Sequence, residues 1–320
     1  MAGSQSATPW WPWLKRISSA LFFVAVLALL LSQARHIDWQ KVLASLKDYP
    51  VTAAWDAVLL AAASFFLYSC FDLLGRRYTG HKLGVGAVMA TTFVSYAFNL
   101  NLGSLVGSIA IRYRLYSQLG LQTGVITRIL TLSMLTNWMG YLLLAGLLFS
   151  LQPPALPDSW KIEAGQLRVI GFSLLAVALA YLALCSFMRQ RRLQIRGHEI
   201  DLPRGPLAAL QLLLGAGNWL IMSGILFVLL QHRVEFSLVA SALLLAAIAG
   251  VITHIPANLG VLEAVFVAML SHRMPQHEVL AAIVAYRLVY YLGPLVIATL
   301  VYLILESAAK NRCESKTTKA

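Results

Sequence analysis

The sequence predicts an all-α polytopic membrane protein with about eight apolar segments, two of them broken or re-entrant hairpins, arranged as an inverted repeat. Of its 320 residues, 59% are hydrophobic and 12% are charged, which is too apolar for a soluble domain. Runs such as LFFVAVLALLL are apolar on every face, whereas strands of a membrane β-barrel alternate apolar and polar residues. Two other runs are interrupted by glycine and polar residues, and these interruptions predict the hairpins.

Six of the segments are uninterrupted and close to the roughly 20 residues that a spanning helix needs. Lys15 and Arg16 precede the first of them, and Ser32 to Ala34 faintly resembles a signal-peptidase site. Because many further spans follow, we predict an uncleaved signal anchor there. In chain order the segments are 17–33, 51–74, 85–111, 124–151, 168–188, 206–230, 238–271 and 279–306.

The remaining two segments, 85–111 and 238–271, contain the stretches AFNLNLGSLVGS and THIPANLG. The apolar pieces on either side of each stretch are too short to cross a bilayer as regular helices. Each segment is therefore either one interrupted crossing or a hairpin that enters and leaves on the same face.

The distribution of basic residues decides between these arrangements, because Lys and Arg are enriched in cytoplasmic loops. Of the 25 Lys and Arg residues, 23 lie outside the span interiors, the exceptions being Arg128 and Arg287. Eight crossings from a cytoplasmic N-terminus would place 12 of them inside and 11 outside. Two hairpins would place 16 inside and 7 outside, so the hairpin arrangement is predicted.

The hairpin arrangement makes the chain, 1–320, a single membrane domain whose two halves have opposite orientations. The halves are approximately 17–151 and 168–306, with short cytoplasmic tails at 1–16 and 307–320. NLGSLVG at 101–107 resembles NLGVLEA at 258–264, with an offset of 157 residues between Gly103 and Gly260. Inverted repeats with broken helices are typical of transporters, whose binding sites lie near the membrane midplane.

The second broken segment contains Pro256, Asn258, Gly260 and Glu263. Pro256 interrupts the helix, Asn258 is expected to cap the returning helix, and Gly260 permits close packing. A helix that begins at Asn258 or Leu259 would direct its positive end into a polar cavity and favour an anionic headgroup. Glu263 either stabilises that helix N-terminus or serves as the partner of a buried arginine or as a coupling proton site.

Arg287 lies some ten residues into the last segment, too deep to reach the membrane surface easily. It needs a partner there, either Glu263 or a lipid phosphate, because an isolated charge in the bilayer is unfavourable. Tyr286, Tyr290 and Tyr291 are its sequence neighbours, and Tyr290 and Tyr291 should share its helical face. We expect Arg287 to line the cavity.

Arg128 occupies the matching position in the first half, 159 residues earlier. It is close enough to the cytoplasmic end to extend towards water, so phosphate binding and simple exposure both stay open. Asn137 is either a helix–helix hydrogen-bonding residue or part of the same cavity. Arg112 is expected at the cytoplasmic edge, as a topology signal or as a recruiter of phosphate.

The first broken segment contains Asn99 and Asn101, which should satisfy backbone groups of the hairpin, and Gly103 and Gly107. The two glycines have the GxxxG spacing, a common signal of close helix packing. The segment is thus predicted to be structural.

Known catalytic and cofactor motifs are absent from the sequence, including the Walker loop, GxSxG, HExxH and the dinucleotide fingerprint. The three cysteines are far apart and suggest neither a disulfide nor a zinc site. The net charge of +12 lies mostly in loops beside apolar spans and indicates membrane topology, not a nucleic-acid partner. We expect no catalytic residues, no cofactor and no metal, and predict that the protein is not an enzyme.

Several segments resemble a known family, among them SYAFNLNLGSLVGSIAIRYRLYSQLGL, IAGVITHIPANLGVLEAVF and AYRLVYYLGPL. They resemble the YbhN-like inner-membrane proteins, which belong to the flippase-like family defined by the membrane region of lysylphosphatidylglycerol synthase. The similarity extends over almost the whole chain. The residues that match the family motif are Pro256, Gly260, Glu263, Tyr286 and Arg287.

The resemblance implies a lipid translocator or lipid-handling transporter of the bacterial inner membrane, acting on an anionic or aminoacylated phospholipid. Only 14 residues follow Glu306, so we do not expect the aminoacyl-transfer activity of the synthases. The alternative is a membrane scaffold that binds a phospholipid-synthesising enzyme through RQRRLQIR at 189–196. The expected partners are membrane phospholipids and, under the alternative, that enzyme.

Overall fold

The computed structural model of the chain describes residues 40, 44, 49–157, 160, 163–188, 192–195, 198–201 and 203–317. The predicted signal anchor at 17–33 and the tail 1–16 lie outside the described residues. So do positions 189–191 and 196 of the predicted docking segment RQRRLQIR.

Four helices and one π-helical segment make up the described part of the first half. The long helix α1 ends at Gly80, whose left-handed backbone (φ 70°) lets its N–H donate to the carbonyl of Arg76. Helix α4 is equally long and apolar. The elements are α1 (Val51–Thr79), α2 (Val85–Leu102), a π-helical segment (Ser104–Ala110) that continues into α3 (Ile111–Gln118), and α4 (Thr123–Leu151).

The second half begins with α5, whose N-terminus has a capping box formed by Glu163 and Gln166. Pro206 occupies the first turn of α6, where no intrahelical N–H bond is lost. The elements are α5 (Ala164–Phe187), α6 (Gly205–Leu229), α7 (Phe236–Thr253), a 3₁₀ turn (Pro256–Asn258), α8 (Val261–Leu270), α9 (Gln276–Tyr286), a π-helical segment (Arg287–Leu292) and α10 (Gly293–Thr317). The last three form one continuous helix, called the terminal helix below.

Seven helices of the described part are long and apolar enough to cross a membrane. The predicted all-α polytopic fold is confirmed. The predicted segment bounds agree with the helix bounds to within a few residues except at three C-terminal ends, since α1 continues to Thr79, α3 to Gln118 and the terminal helix beyond 306. A short antiparallel pair of strands, β1 (Arg192–Ile195) and β2 (His198–Asp201), was not expected. It lies in the basic connection between α5 and α6.

Residues 85–118, called hairpin 1, fold back on themselves at Gly103, whose φ is 84°. A Cβ atom added to Gly107 would lie 2.0 Å from the backbone nitrogen of Asn99. These residues would be about 12 Å apart along a continuous helix. The two limbs therefore run side by side, and Gly107 allows their close approach.

Residues 236–270, called hairpin 2, turn back between α7 and α8. A Cβ atom on Gly250 would overlap the side-chain amide of Asn258, with its nearest atom 1.6 Å away. This contact again joins positions eight residues apart, which shows that the chain reverses direction here.

The two hairpins enter from opposite ends of the molecule. Arg114, at the open end of hairpin 1, forms an ion pair with Glu306, near the C-terminal end of the terminal helix. Arg233, beside the open end of hairpin 2, forms one with Glu278, near the start of the same helix. The elements α1, hairpin 1 and α4 therefore have the order helix, hairpin, helix. The elements α6, hairpin 2 and the terminal helix repeat this order in the opposite orientation.

Helices α1 and α6 pack against each other in the centre of the protein. Ser64 and Asn218 each lie 13 residues after the first residue of their helix, and Ser64 Oγ donates a 2.7 Å hydrogen bond to Asn218 Oδ1. Helices α4 and α6 approach closely because a Cβ on Gly140 would lie 2.1 Å from the carbonyl carbon of Gly215. The corresponding helices α1 and α6 thus meet in the core, and α4 packs against both of them.

Candidate functional site

Arg287 begins the π-helical segment in the middle of the terminal helix. It follows Gln276, the first residue of this helix, by 11 residues, or about 16 Å at 1.5 Å per residue. A bilayer core is about 30 Å thick. Arg287 therefore lies near the middle of the spanning region, as the sequence predicts.

The side chain of Arg287 forms a bidentate pair with Glu263 of hairpin 2. Its Nε donates to Oε1 at 2.7 Å and its Nη2 donates to Oε2 at 3.1 Å. This geometry uses the planar guanidinium fork, which matches a carboxylate or a phosphate equally well.

The same guanidinium also holds the turn of hairpin 2. Nη1 donates to the carbonyl of Ala257 at 3.0 Å, and Nη2 donates to that of Asn258 at 3.1 Å. Ala257 and Asn258 have φ values of 56° and 51°, a left-handed backbone that costs an alanine about 1–2 kcal/mol. Arg287 offsets this strain by binding both carbonyls.

The start of the returning helix differs from the prediction. Helix α8 begins at Val261, and its N-cap is Gly260, whose φ of 77° requires the freedom of glycine. Pro256 begins the 3₁₀ turn. Asn258 is not the cap, because its side chain lies against Gly250 in the opposite limb. Glu263 is in the first turn of α8, so it can stabilise the helix end and pair with Arg287 at once.

The tip of hairpin 1 reaches the same π-helical segment. Asn101 Nδ2 donates to the carbonyl of Ala97 at 2.8 Å and to that of Tyr291 at 3.1 Å. The N–H of Gly103 donates to the carbonyl of Asn99 at 2.9 Å. Helix α2 also contacts the turn that contains Ala257 and Asn258. The structure therefore brings both hairpin tips together beside Arg287.

Three tyrosines surround this region in different ways. The Arg287 Cζ lies 5.5 Å from the ring centroid of Tyr291, within the range of a cation–π contact. Tyr286 and Tyr290 are buried and stacked, with centroids 5.3 Å apart. Tyr290 turns away from Arg287, and its hydroxyl lies 2.6 Å from Ser64 Oγ and 2.9 Å from the Tyr96 hydroxyl. It belongs to the core and does not share the arginine's surroundings.

The Arg287 and Glu263 side chains are 14% and 24% exposed. The neighbouring tip residues Ile252 and His254 are exposed, as is Leu288 on the terminal helix. Two cavities, of about 570 and 220 Å³, open at the end of the molecule where hairpin 2 enters, and neither is lined by Arg287 or Glu263. The pair is therefore partly exposed at the hairpin tips and lies outside both cavities, whereas we expected Arg287 to line a cavity.

Arg112 is not at an edge, which corrects its predicted position. Its side chain is 1% exposed, and its Nε lies 3.1 Å from Oδ2 of Asp72, which is 0% exposed. Tyr116 donates to the same carboxylate oxygen at 2.8 Å. Arg112 is therefore a buried residue, where the sequence predicts one at the cytoplasmic edge.

Arg112 also joins three parts of the first half. Its Nη1 donates to Ser108 Oγ at 2.9 Å and its Nη2 donates to Ser133 Oγ at 3.4 Å. Its Cζ lies 5.7 Å from the ring centroid of Tyr68. The pair with Asp72 thus connects hairpin 1 to α1 and α4.

The remaining predicted residues lie apart from Arg287. Arg128 is exposed near the start of α4. The carbonyl of Asn137 accepts a 3.3 Å hydrogen bond from the indole N–H of Trp219, a contact between α4 and α6. Neither residue is brought to the hairpin tips.

Sequence reasoning missed the partnership of Asp72 with Arg112. An aspartate within an apolar helix was a sufficient signal that a buried partner exists. The sequence does not indicate which of several basic residues that partner is, because the two positions are 40 residues apart and no periodicity relates them.

The fold and the site define a multi-pass membrane protein with two opposed hairpins and an arginine–carboxylate pair at their tips. Residues 17–298 match the family described as the lysylphosphatidylglycerol synthase TM region. The chain belongs to this family.

Several curated proteins are similar to the chain over most of its length. The inner membrane protein YbhN of Escherichia coli is 45% identical over 95% of this chain and 96% of its own. A Synechocystis protein, slr0712, is 32% identical over 88% of both chains. The phosphatidylglycerol lysyltransferase of Staphylococcus haemolyticus is 23% identical over 89% of this chain but only 33% of its own. The family is linked to phospholipid handling through the last of these and through its name.

Proposed function

We propose that the protein is a lipid translocator or lipid-handling transporter of the bacterial inner membrane, acting on an anionic or aminoacylated phospholipid. The observation that carries this proposal is the position of Arg287. Its guanidinium lies at mid-depth between two opposed hairpin tips, is partly exposed, and is held by the carboxylate of Glu263.

A phosphate is the ligand that best fits this guanidinium. The two oxygens of Glu263 occupy the bidentate position that two phosphate oxygens would take. A charge at the bilayer centre costs about 3 kcal/mol on insertion scales, so Arg287 needs an anion in every state. Glu263 fills this need when no lipid is bound, and the headgroup replaces it when lipid enters.

The opposed hairpins suggest how a headgroup reaches the site from either side. One hairpin opens at each end of the molecule, and both tips contact the π-helical segment that begins with Arg287. Movement of one hairpin at a time against the terminal helix would open the site to one face and then to the other. This is the alternating access that inverted repeats commonly provide.

The orientation follows from the basic residues, with the N- and C-termini and the 189–205 connection in the cytoplasm. Hairpin 1 then opens to the cytoplasm and hairpin 2 to the opposite face. In this orientation Arg128 lies near the cytoplasmic end of α4, where it would contact the phosphate during entry. The protein has no catalytic role in this proposal.

Purified protein in liposomes tests the proposal directly. Vesicles contain fluorescent phosphatidylglycerol or lysyl-phosphatidylglycerol, and a membrane-impermeant quencher reports how much has crossed. The wild type should accelerate crossing, and Arg287→Ala should reduce the rate at least about tenfold, the value of one lost charge-assisted hydrogen bond to the phosphate. Glu263→Ala should also reduce the rate, because Arg287 then has no carboxylate to take the place of the headgroup when the lipid leaves.

Arg233→Ala is the matched control, because Arg233 is also paired with a glutamate but lies at the surface. It should retain the wild-type rate. Equal rates for all four proteins, at equal folding, would remove Arg287 and Glu263 from the site. An inactive wild type that co-purifies with a phospholipid-synthesising enzyme would favour the scaffold alternative.

A further inference from the structure

The cavity of about 570 Å³ lies between the limbs of hairpin 2 and the connection that follows α4. Its walls are the proline-rich stretch 153–157, the start of α7 and the end of α8. It opens at the end of the molecule where hairpin 2 enters. The Arg287–Glu263 pair lies at the other end of the same hairpin.

Three ionisable side chains line this cavity, and each is exposed: Glu235, His272 and Arg273. Within the described part of the chain, none of the three side chains forms an ion pair or a hydrogen bond. The nearby Arg233 is different, because it is paired with Glu278 outside this cavity. The cavity therefore offers both signs of charge to a ligand.

The rest of the lining is apolar except for Gln152 and Ser237. Leu156, Leu238 and Met269 contribute side chains to the wall. Ligand sites commonly combine such apolar walls with a few polar groups that fix the orientation of the ligand. A ligand that satisfies this cavity has an anionic group, a cationic group and an apolar part.

We propose that this cavity binds the headgroup of a zwitterionic phospholipid, which carries one phosphate and one ammonium group. Arg273 and the ring N–H of His272 bind the phosphate. Glu235 binds the ammonium group, and the apolar wall contacts the glycerol and the first carbons of the chains. The site stands apart from the proposed function, since binding here requires no transport.

Calorimetric titration of the full chain in detergent tests this site. The probes are dihexanoyl phosphatidylethanolamine, which has the ammonium group, and dihexanoyl phosphatidylglycerol, which lacks it. Every protein in this series carries Arg287→Ala, which removes the site of the proposed function, and the reference protein with no further change should bind the first more tightly. Glu235→Gln should weaken binding of phosphatidylethanolamine about tenfold and should not weaken binding of phosphatidylglycerol, whereas Arg273→Gln should weaken both about tenfold.

Arg233→Gln is the control on the same surface and should bind both lipids as the reference protein does. Phosphoethanolamine without acyl chains should bind at least about tenfold more weakly than the lipid, because it makes no contact with the apolar wall. Equal affinity for the two lipids, unchanged affinity in Glu235→Gln, or equal binding of free phosphoethanolamine would each overturn the proposal.

Discussion

The protein has two arginine–carboxylate pairs with the same chemical groups and different surroundings. Arg112 and Asp72 are 1% and 0% exposed and touch through one carboxylate oxygen. Arg287 and Glu263 are 14% and 24% exposed and form two hydrogen bonds. The pair with the better hydrogen-bond geometry, Arg287 with Glu263, is thus also the more accessible one. This suggests that the buried pair is structural. The accessible arginine, in contrast, can exchange its carboxylate for another anion.

The largest expected difference between the pairs is in stability. Asp72→Ala leaves a buried guanidinium without its partner and should lower the free energy of unfolding by about 3–5 kcal/mol. Glu263→Ala should lower it less, by about 1–3 kcal/mol, because Arg287 keeps its hydrogen bonds to the carbonyls of Ala257 and Asn258. Unfolding of both variants in mixed micelles measures the two losses. Equal losses would mean that the comparison is wrong.

A second test asks whether lipid crossing requires the planar guanidinium group of Arg287 or only its positive charge. Arg287→Lys keeps the charge but cannot bind Glu263 and two carbonyls in one plane. We expect the rate of lipid crossing in liposomes to fall about tenfold, equivalent to about 1.4 kcal/mol. Arg114→Lys, at the surface, is the control and should not change the rate. A fully active Arg287→Lys would show that only the charge is needed.

A third test concerns the contact that joins hairpin 1 to the terminal helix near Arg287. Asn101→Leu removes the hydrogen bond to the carbonyl of Tyr291 and should lower the free energy of unfolding by about 1 kcal/mol. Asn137→Leu is the control, because the contact there uses its carbonyl and not its side chain. If both variants unfold like the wild type, the hairpin tip is not held by this bond.

The smallest expected effect is a gain in stability at the turn of hairpin 2. Ala257 has a left-handed backbone, so Ala257→Gly should raise the free energy of unfolding by about 0.5 kcal/mol. Ala264→Gly, inside α8, should instead lower it by about 0.5–1 kcal/mol. Thermal unfolding of the two variants side by side gives the signs. A loss in both would show that the left-handed backbone of Ala257 is not a source of strain.

Much of the fold could be predicted from the sequence, because the bilayer thickness sets the length of a spanning helix and that length is visible as the length of an apolar run. The sequence also indicated that Arg287 needs a partner, since a charge deep in an apolar segment is unfavourable, and of the two partners that it left open, Glu263 and a lipid phosphate, the structure shows Glu263. The start of α8 was predicted two or three residues too early. Asn258 was expected to be the N-cap of this helix, but the N-cap is Gly260, whose backbone is left-handed.

The residues that were misplaced depend on tertiary contacts. Arg112 has the same sequence context as a loop arginine, and only the packing of hairpin 1 against α1 buries it beside Asp72. Tyr290 shares a helical face with Arg287 by spacing, yet the π-helical segment changes the spacing of residues around the axis. The β1–β2 pair lies in a polar connection whose composition gave no strand signal.

The hydrogen bond between Ser64 and Asn218 joins equivalent positions of α1 and α6. Each half therefore carries, in α1 or in α6, part of the surface that contacts the other half. These contacts lie outside the covalent link at 152–163, and α4 and α5 on either side of that link pack against each other as well. Two separate polypeptides cut within that link and produced in the same cell should find each other in the bilayer and assemble.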